Sequence, residues 1–256
     1  MRIPLTKYGW PQVVLFPAVL LSMMAVYLLV GIAFLPVWAI ISVELVLVVV
    51  LIWVLSFFRD PYRLCPSDRN LLLAPADGRI TDIETVEENN FIGGSALRIG
   101  IFLNIFNAHI NRAPCNVKVE KITYRKGKYK NAANPRSGQV NESNNLALVR
   151  TDTPEGKLIV RQISGAVARR IVCQTSQGKK LTSGEKFGMI KFGSRTELYV
   201  PLPAEGRFDP VQGSALANDE DGVWEPKCLV QIGDKVKAGL TPLIRYEERG
   251  TRGERR

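Results

Sequence analysis

Two apolar runs at the start of the chain constrain its fold more than any other feature. Val13–Leu35 holds no charged residue, and Val37–Phe58 holds only Glu44. At about 1.5 Å per helical residue, roughly 20 residues cross the ~30 Å hydrocarbon core of a bilayer. Each run is long enough. Pro36, with Gly31 before it, marks the turn between them. Residues 1–58 are therefore expected to form a membrane-embedded helical hairpin. A cleaved signal peptide fits poorly, because the apolar stretch is too long and no small-x-small cleavage site follows it. A buried hairpin of a soluble fold is the other alternative, and runs of this length weigh against it.

The flanks give an orientation. Arg2 and Lys7 precede the first run, Arg59, Arg63 and Arg69 follow the second, and the connection is uncharged. The positive-inside rule then puts both ends in the cytoplasm, with residues 59–256 on the cytoplasmic face of the cell membrane. The short link also allows a pair that enters the bilayer without crossing it. From Arg59 onward there are 32 basic and 23 acidic residues, an excess suited to an anionic inner leaflet. A nucleic-acid partner is not expected, since no recognition helix, RNP-like strand or zinc module accompanies the charge. Cys65, Cys115, Cys173 and Cys228 stand far apart with no CxxC pair, which reads as reduced thiols. His109 is the single histidine, so no metal site is expected.

Beyond Leu71 the pattern is that of short strands. Ala96–Leu103, Val117–Tyr124, Leu146–Thr151, Lys157–Ile163, Glu197–Val200 and Cys228–Ile232 are rich in β-formers. Turn residues separate them: Asp77-Gly78, Asn89-Asn90, Thr153–Gly156, Ser183-Gly184 and Gly233-Asp234. The expected fold is mostly β, a barrel-sandwich-like domain behind the helical hairpin. Ala166–Val172 is the best short helical segment, and Arg245–Arg256 reads as a charged tail. Ser183–Gly188 weakly echoes Ile232–Lys237 as a Gly-acid-Lys-apolar turn. No lysine-centred carrier turn accompanies the echo, so a swinging-arm carrier is not read here.

Three places offer chemistry. Ala74–Ile80 sets Asp77 in a tight turn; Asn104–Pro114 contains His109; Met189–Glu197 contains Gly193-Ser194. Each has a bland reading: an ordinary Asp-Gly turn, a structural histidine, and a Gly-Ser bulge in a strand. Taken together and in this order, Ala-Pro-Ala-Asp-Gly, Asn-Ala-His-Ile-Asn-Arg-Ala-Pro and Phe192-Gly193-Ser194 resemble the signatures of the phosphatidylserine decarboxylase proenzymes, short form. The hairpin ending in Phe57-Phe58-Arg59-Asp60-Pro61 resembles that family too, and the likeness runs from about Phe16 to Tyr246.

The resemblance implies a self-made prosthetic group. Ser194 Oγ attacks the carbonyl of Gly193, the peptide becomes an ester, and elimination frees a large chain 1–193. Dehydroalanine at position 194 then loses ammonia by hydrolysis, leaving a pyruvoyl group on the small chain 194–256. Glycine at 193 lets the backbone adopt the required conformation. The ketone takes up a substrate amine and the electrons left by departing CO₂, a task no ordinary side chain performs. The partners implied are a serine phospholipid, the membrane, and the two chains of one precursor as a heterodimer.

A serine hydroxyl needs a base, and the resemblance implies His109 as that base with Asp77 orienting it. Longer members carry H-x-x-H-x-P, whereas this chain has Arg112 at the second position; an arginine does not shuttle protons. Arg112 is instead a candidate for the substrate head group. Two other classes are alternatives: a membrane-tethered barrel-sandwich adaptor without chemistry, and a serine hydrolase, for which Phe-Gly-Ser-Arg lacks a nucleophile elbow. A serine ether lipid of archaeal type shares the head group and is the alternative substrate.

Overall fold

The computed structural model describes residues 5–134, 137–166, 170–191, 193–202, 207–209, 214–216 and 224–248. The chain divides between Tyr62 and Arg63 into two compact units. The first contains α1 (Gln12–Phe34) and α2 (Val37–Phe57), paired as a hairpin. Pro36 holds extended backbone between them, and the Leu35 N–H closes α1 on the Gly31 carbonyl at 2.8 Å. Both helices are apolar around most of their circumference and long enough to span a bilayer. Their hydroxyls are satisfied internally: Ser22 donates to Ala18 O (2.9 Å) and Ser42 to Trp38 O (2.8 Å). At the end of α2, Phe57 and Phe58 are buried, and the Phe58 carbonyl accepts the Thr6 N–H at 2.9 Å.

The second unit is mostly β, as the alternation predicts. Its strands are β1 (Leu71–Leu73), β2 (Gly78–Glu88), β3 (Gly94–Leu103), β4 (Ile110–Arg112), β5 (Val117–Arg125), β6 (Ser143–Arg150), β7 (Gly156–Ile163), β8 (Ile171–Cys173), β9 (Lys180–Leu181), β10 (Lys186–Ile190), β11 (Ser194–Pro201), β12 (Arg207–Asp209), β13 (Ser214–Leu216), β14 (Trp224–Cys228), β15 (Lys235–Val236) and β16 (Pro242–Glu248). One short helix, α3 (Ser137–Val140), precedes β6. Eight strands form an antiparallel sheet in the order β15-β2-β3-β11-β7-β6-β5-β9, curled into a half-barrel. Alternate residues line its concave face: Leu97, Ile99, Ile101 and Leu103 from β3, Leu198 and Val200 from β11, Leu158 and Val160 from β7. Two three-stranded sheets, β4-β10-β8 and β1-β16-β14, and the two-stranded β12-β13 accompany it among the described residues.

Five of the six expected strands lie within a few residues of their places. The sixth is shifted: β14 ends at Cys228, and residues 229–232 lead into the Gly233 turn. Ala166–Val172 is not a helix over its described part, since Ile171–Cys173 pairs with β10; residues 167–169 lie outside the described residues. Arg245–Glu248 belong to β16 rather than to a tail, paired with β14, and residues 249–256 lie outside the description. The four cysteines are free thiols.

The short echo is structural. Gly184 and Gly233 both have positive φ (+74° and +100°), a region glycine enters without penalty. The acid after each caps the turn: Glu185 accepts from the Thr182 N–H (3.0 Å) and Asp234 from the Gln231 N–H (2.8 Å). Each glycine N–H crosses to a neighbouring strand, Gly184 to Ala113 O and Gly233 to Ile80 O. The first turn anchors β10 against β4, and the second anchors β15 against β2.

Candidate active site

β11 lies at the centre of the half-barrel between β3 and β7. Ser194, its first residue, pairs with Leu103 on the concave face. The residue is fully buried, and its Oγ has no hydrogen-bond partner among the described residues. A buried hydroxyl without a partner forfeits its hydration and gains nothing in return, a cost of about 1–3 kcal/mol. Gly193, immediately before it, has φ +58°, which a side chain would strain. Its carbonyl is packed against Gly165 so tightly that a Cβ there would collide with the oxygen, and Ala132 closes the same corner. Phe192, the other member of the motif, lies outside the described residues.

His109 is carried by the turn between β3 and β4. Asn104 and Asn107 shape that turn, each using its side-chain oxygen to accept a backbone N–H at 2.9 Å. The imidazole is fully buried, with Nδ1 2.9 Å from the Asn107 carbonyl oxygen. A carbonyl only accepts, so Nδ1 carries a proton, and in the neutral imidazole Nε2 carries the lone pair. The His109 carbonyl accepts from the Ile190 N–H at 3.3 Å, four residues before Ser194. Asn111 in β4, two residues on from His109, donates to Thr196 Oγ1 at 3.1 Å, two residues along from Ser194. The fold thus brings the His109 and Ser194 segments together.

A polar chain that sequence reasoning missed fixes this arrangement. Gln162 donates to Asn111 Oδ1 (2.9 Å), and Asn144 donates to Gln162 Oε1 (3.0 Å). All three side chains are buried on the concave side, where a satisfied amide network specifies one packing. The signal was present as amides at positions otherwise apolar in β6 and β7, in phase with Leu146 and Val160 in the alternation.

Asp77 lies in the turn that leads into β2. Its carboxylate takes a bidentate pair from Arg63 (2.6 and 2.7 Å) and the Ala238 N–H (2.8 Å). The Asn107 carbonyl holds the imidazole at Nδ1. Asp77 bears on the site through its turn, where the Pro75 carbonyl accepts from the Arg112 N–H (3.0 Å) and Asn111 Nδ2 (3.4 Å). Arg112 is buried, donates to the Gly184 carbonyl at 3.0 Å and packs along Gly239. It alternates with Asn111 along β4, so its side chain leaves the strand on the face away from Thr196.

A mostly-β unit that buries an unpartnered serine behind a left-handed glycine, in a chain with an apolar helical hairpin, defines a narrow class. The family model described as phosphatidylserine decarboxylase matches residues 50–243. A phosphatidylserine decarboxylase proenzyme of Desulfotalea psychrophila is 41% identical over 189 residues, covering 74% of this chain and 77% of that protein. Proenzymes of the same name from Ralstonia pickettii and Cupriavidus pinatubonensis are each 38% identical, covering 78% of this chain and 81% of theirs. The chain belongs to the phosphatidylserine decarboxylase family of enzymes. The resemblance carried by the three segments is borne out.

Proposed function

We propose that this chain is a self-processing decarboxylase that converts phosphatidylserine to phosphatidylethanolamine and CO₂ at the cell membrane, its β unit on the cytoplasmic face. The observation that carries the reading is the Gly193–Ser194 junction: a buried, unpartnered hydroxyl beside a left-handed glycine whose carbonyl is wedged against Gly165. Those features fit a serine that becomes a pyruvoyl group, because the hydroxyl is not consumed by a structural hydrogen bond and its peptide is held in one conformation. The pyruvoyl ketone, once formed, supplies the electron sink for loss of CO₂ from a bound amino acid.

The residues of this chain do the rest. His109, with its proton on Nδ1, presents Nε2 as the base for the Ser194 hydroxyl. Attack on the Gly193 carbonyl carbon forms the ester as the C–N bond breaks. The base then removes the Ser194 α-proton, and the Gly193 carboxylate departs. Gly165 fixes the direction of the carbonyl under attack. Asp77 and Arg63 clamp the turn that holds β4, and through it His109, in register. The apolar hairpin supports membrane attachment, and the positive flanks favour the cytoplasmic face.

Intact-mass analysis of the purified protein tests the reading, together with assay on phosphatidylserine vesicles. Fragments 1–193 and 194–256, the latter with a blocked N-terminus, should accompany CO₂ release. A fully active preparation made of one uncut chain would refute it. Activity on a serine ether lipid alone would move the substrate and leave the processing intact.

A further inference from the structure

Residues 121–141 carry six basic residues and no acidic one. Lys126, Lys128 and Lys130 are exposed, and Tyr124, Tyr129 and Val140 are exposed among them. The acids that flank the stretch are committed elsewhere. Glu120 pairs with Lys118 at 2.8 Å, and buried Glu142 accepts the Tyr124 hydroxyl at 2.8 Å. Positive charge mixed with tyrosine rings and an aliphatic side chain is a composition that settles at a bilayer interface. The register fixes where this surface lies. Arg125 pairs with Ser143, Ser143 with Ile163, and Ile163 with Arg195. Three ladder steps of about 4.8 Å put the end of β5 about 15 Å along the sheet from the head of β11. Ser194 pairs in turn with Leu103, the last residue of β3, and the turn that follows carries His109. The basic stretch therefore leaves the half-barrel at the same end as the reacting serine.

One buried amide joins the stretch to the junction. Asn141 Oδ1 accepts the Lys130 N–H at 2.9 Å, and its Nδ2 donates to the Lys130 and Ser164 carbonyls at 2.8 Å each. Ser164 precedes the Gly165 that backs the Gly193 carbonyl. We propose that residues 124–130 are a contact surface for anionic lipid, which seats the Ser194 end of the half-barrel on the bilayer. The proposal rests on the decarboxylase reading for its purpose, because a soluble substrate needs no such seat. Serine lipid is held in the bilayer by its acyl chains, so its carboxylate reaches Ser194 only when that end of the unit meets the head groups. Each lysine close to an anionic leaflet contributes about fivefold to the encounter. The attraction fades within about 10 Å at moderate salt, so it acts only on the end that faces the lipid.

The test compares the full-length wild type with a triple variant, Lys126→Gln, Lys128→Gln and Lys130→Gln combined, each first checked for the 194–256 fragment. The Asn141 bonds reach the backbone of Lys130, so these substitutions leave them in place. Both proteins are reconstituted into phosphatidylcholine vesicles with a small fixed fraction of phosphatidylserine, with or without phosphatidylglycerol. Phosphatidylglycerol should raise the wild-type kcat/KM about fivefold and that of the variant less than about twofold. High salt should erase the wild-type gain. An equal gain in the two proteins would overturn the proposal. Hydrogen exchange of the amides at 124–134 gives a readout without turnover. Phosphatidylglycerol vesicles should protect them in the wild type, and phosphatidylcholine alone should not. Protection that ignores phosphatidylglycerol, or that only added RNA confers, would also overturn the proposal. Should the variant not process, the wild-type exchange decides. If the wild type releases no CO₂ from phosphatidylserine while the exchange pattern stands, the decarboxylase reading fails and the lipid contact survives it.

Discussion

The two faces of β11 are equally buried and chemically opposite. Ser194, Thr196, Leu198 and Val200 face the concave core, whereas Arg195, Glu197 and Tyr199 face the other way. On the outer face nearly every polar atom is matched. Arg195 donates from Nη2 to both Asp82 oxygens (2.6 Å), from Nε to Glu197 (2.8 Å) and from Nη1 to Thr81 (2.7 Å). Tyr199 and Arg161 close on the remaining Glu197 oxygen. Gly100 and Gly138 make room, since a Cβ at either would crowd Arg195 or Glu197. Burial alone would lower the Arg195 pKa, but the Glu197 and Asp82 contacts outweigh it and raise it. On the inner face, Ser194 Oγ has no hydrogen-bond partner among the described residues, at the head of the same strand. One face is a frame; the other holds a group available to react.

Removing the available group should therefore cost activity and spare stability. Ser194→Ala is expected to abolish formation of the 194–256 fragment and all CO₂ release. Its thermal midpoint should match or exceed that of the unprocessed wild type, because an unpartnered buried hydroxyl stabilises nothing. A clear fall in midpoint, measured by scanning calorimetry in detergent, would mean the hydroxyl has a structural bond and the contrast between faces is false.

His109→Ala sharpens the inner face. General-base assistance contributes about 10²–10⁴ in rate, so processing followed by time-resolved mass analysis should slow by that order. Asp77→Asn should slow it less, because Asp77 acts through the Pro75 turn and not on the imidazole. If Asp77→Asn is the slower of the two, the carboxylate has a more direct part in the reaction.

On the outer face the expected loss is in stability. Arg195→Met, made in the Ser194→Ala background so that both proteins are single chains, leaves Asp82 and Glu197 buried with a charge unmatched. Stranding one side of a buried pair costs about 3–5 kcal/mol. A midpoint shift equivalent to less than about 1 kcal/mol, the range of an exposed pair, would show the outer face to be solvated.

This contrast also marks what could be read from the chain alone. The hairpin, the apolar alternation of β3, β5, β6 and β7, and the family signatures are local patterns, legible without tertiary context. β2 was not legible, because Asp82, Glu84 and Glu87 break the apolar pattern with charges that look solvent-facing. Asp82 and Glu197 are nonetheless buried. Arg195 supplies the reason, and its partners lie 113 residues away at Asp82 and two away at Glu197. The contacts of Asp77 were not legible for the same kind of reason. Arg63 and the Ala238 N–H, 161 residues distant, reach the carboxylate in the folded chain. Conversely, glycine at 193 marks a position of free backbone in the sequence, and its φ is +58°.

The smallest effect expected is at Tyr199. Its hydroxyl donates to Glu197 at 2.7 Å and accepts from Arg161 at 2.7 Å. Burial first, and the Glu197 charge second, hold its pKa well above the ordinary phenol value. In the Ser194→Ala background, Tyr199→Phe should cost about 1 kcal/mol near neutrality, the net worth of such a bond. The alkaline limb discriminates further. Above about pH 10 an unfolded tyrosine ionises, while Tyr199 in the fold stays protonated. The unfolded state then holds fewer protons, and stability falls by up to about 1.4 kcal/mol per pH unit until the folded group also titrates. Tyr199→Phe lacks that contribution, although Tyr246, also buried and raised, retains its own. Thermal midpoints taken from neutral pH to about pH 11 should therefore show the gap between the two proteins closing above about pH 10. A gap of constant size would mean that Tyr199 ionises as easily in the fold as out of it. Water would then reach Glu197 and Arg195, and the outer face of β11 would be as open to proton exchange as an ordinary protein surface.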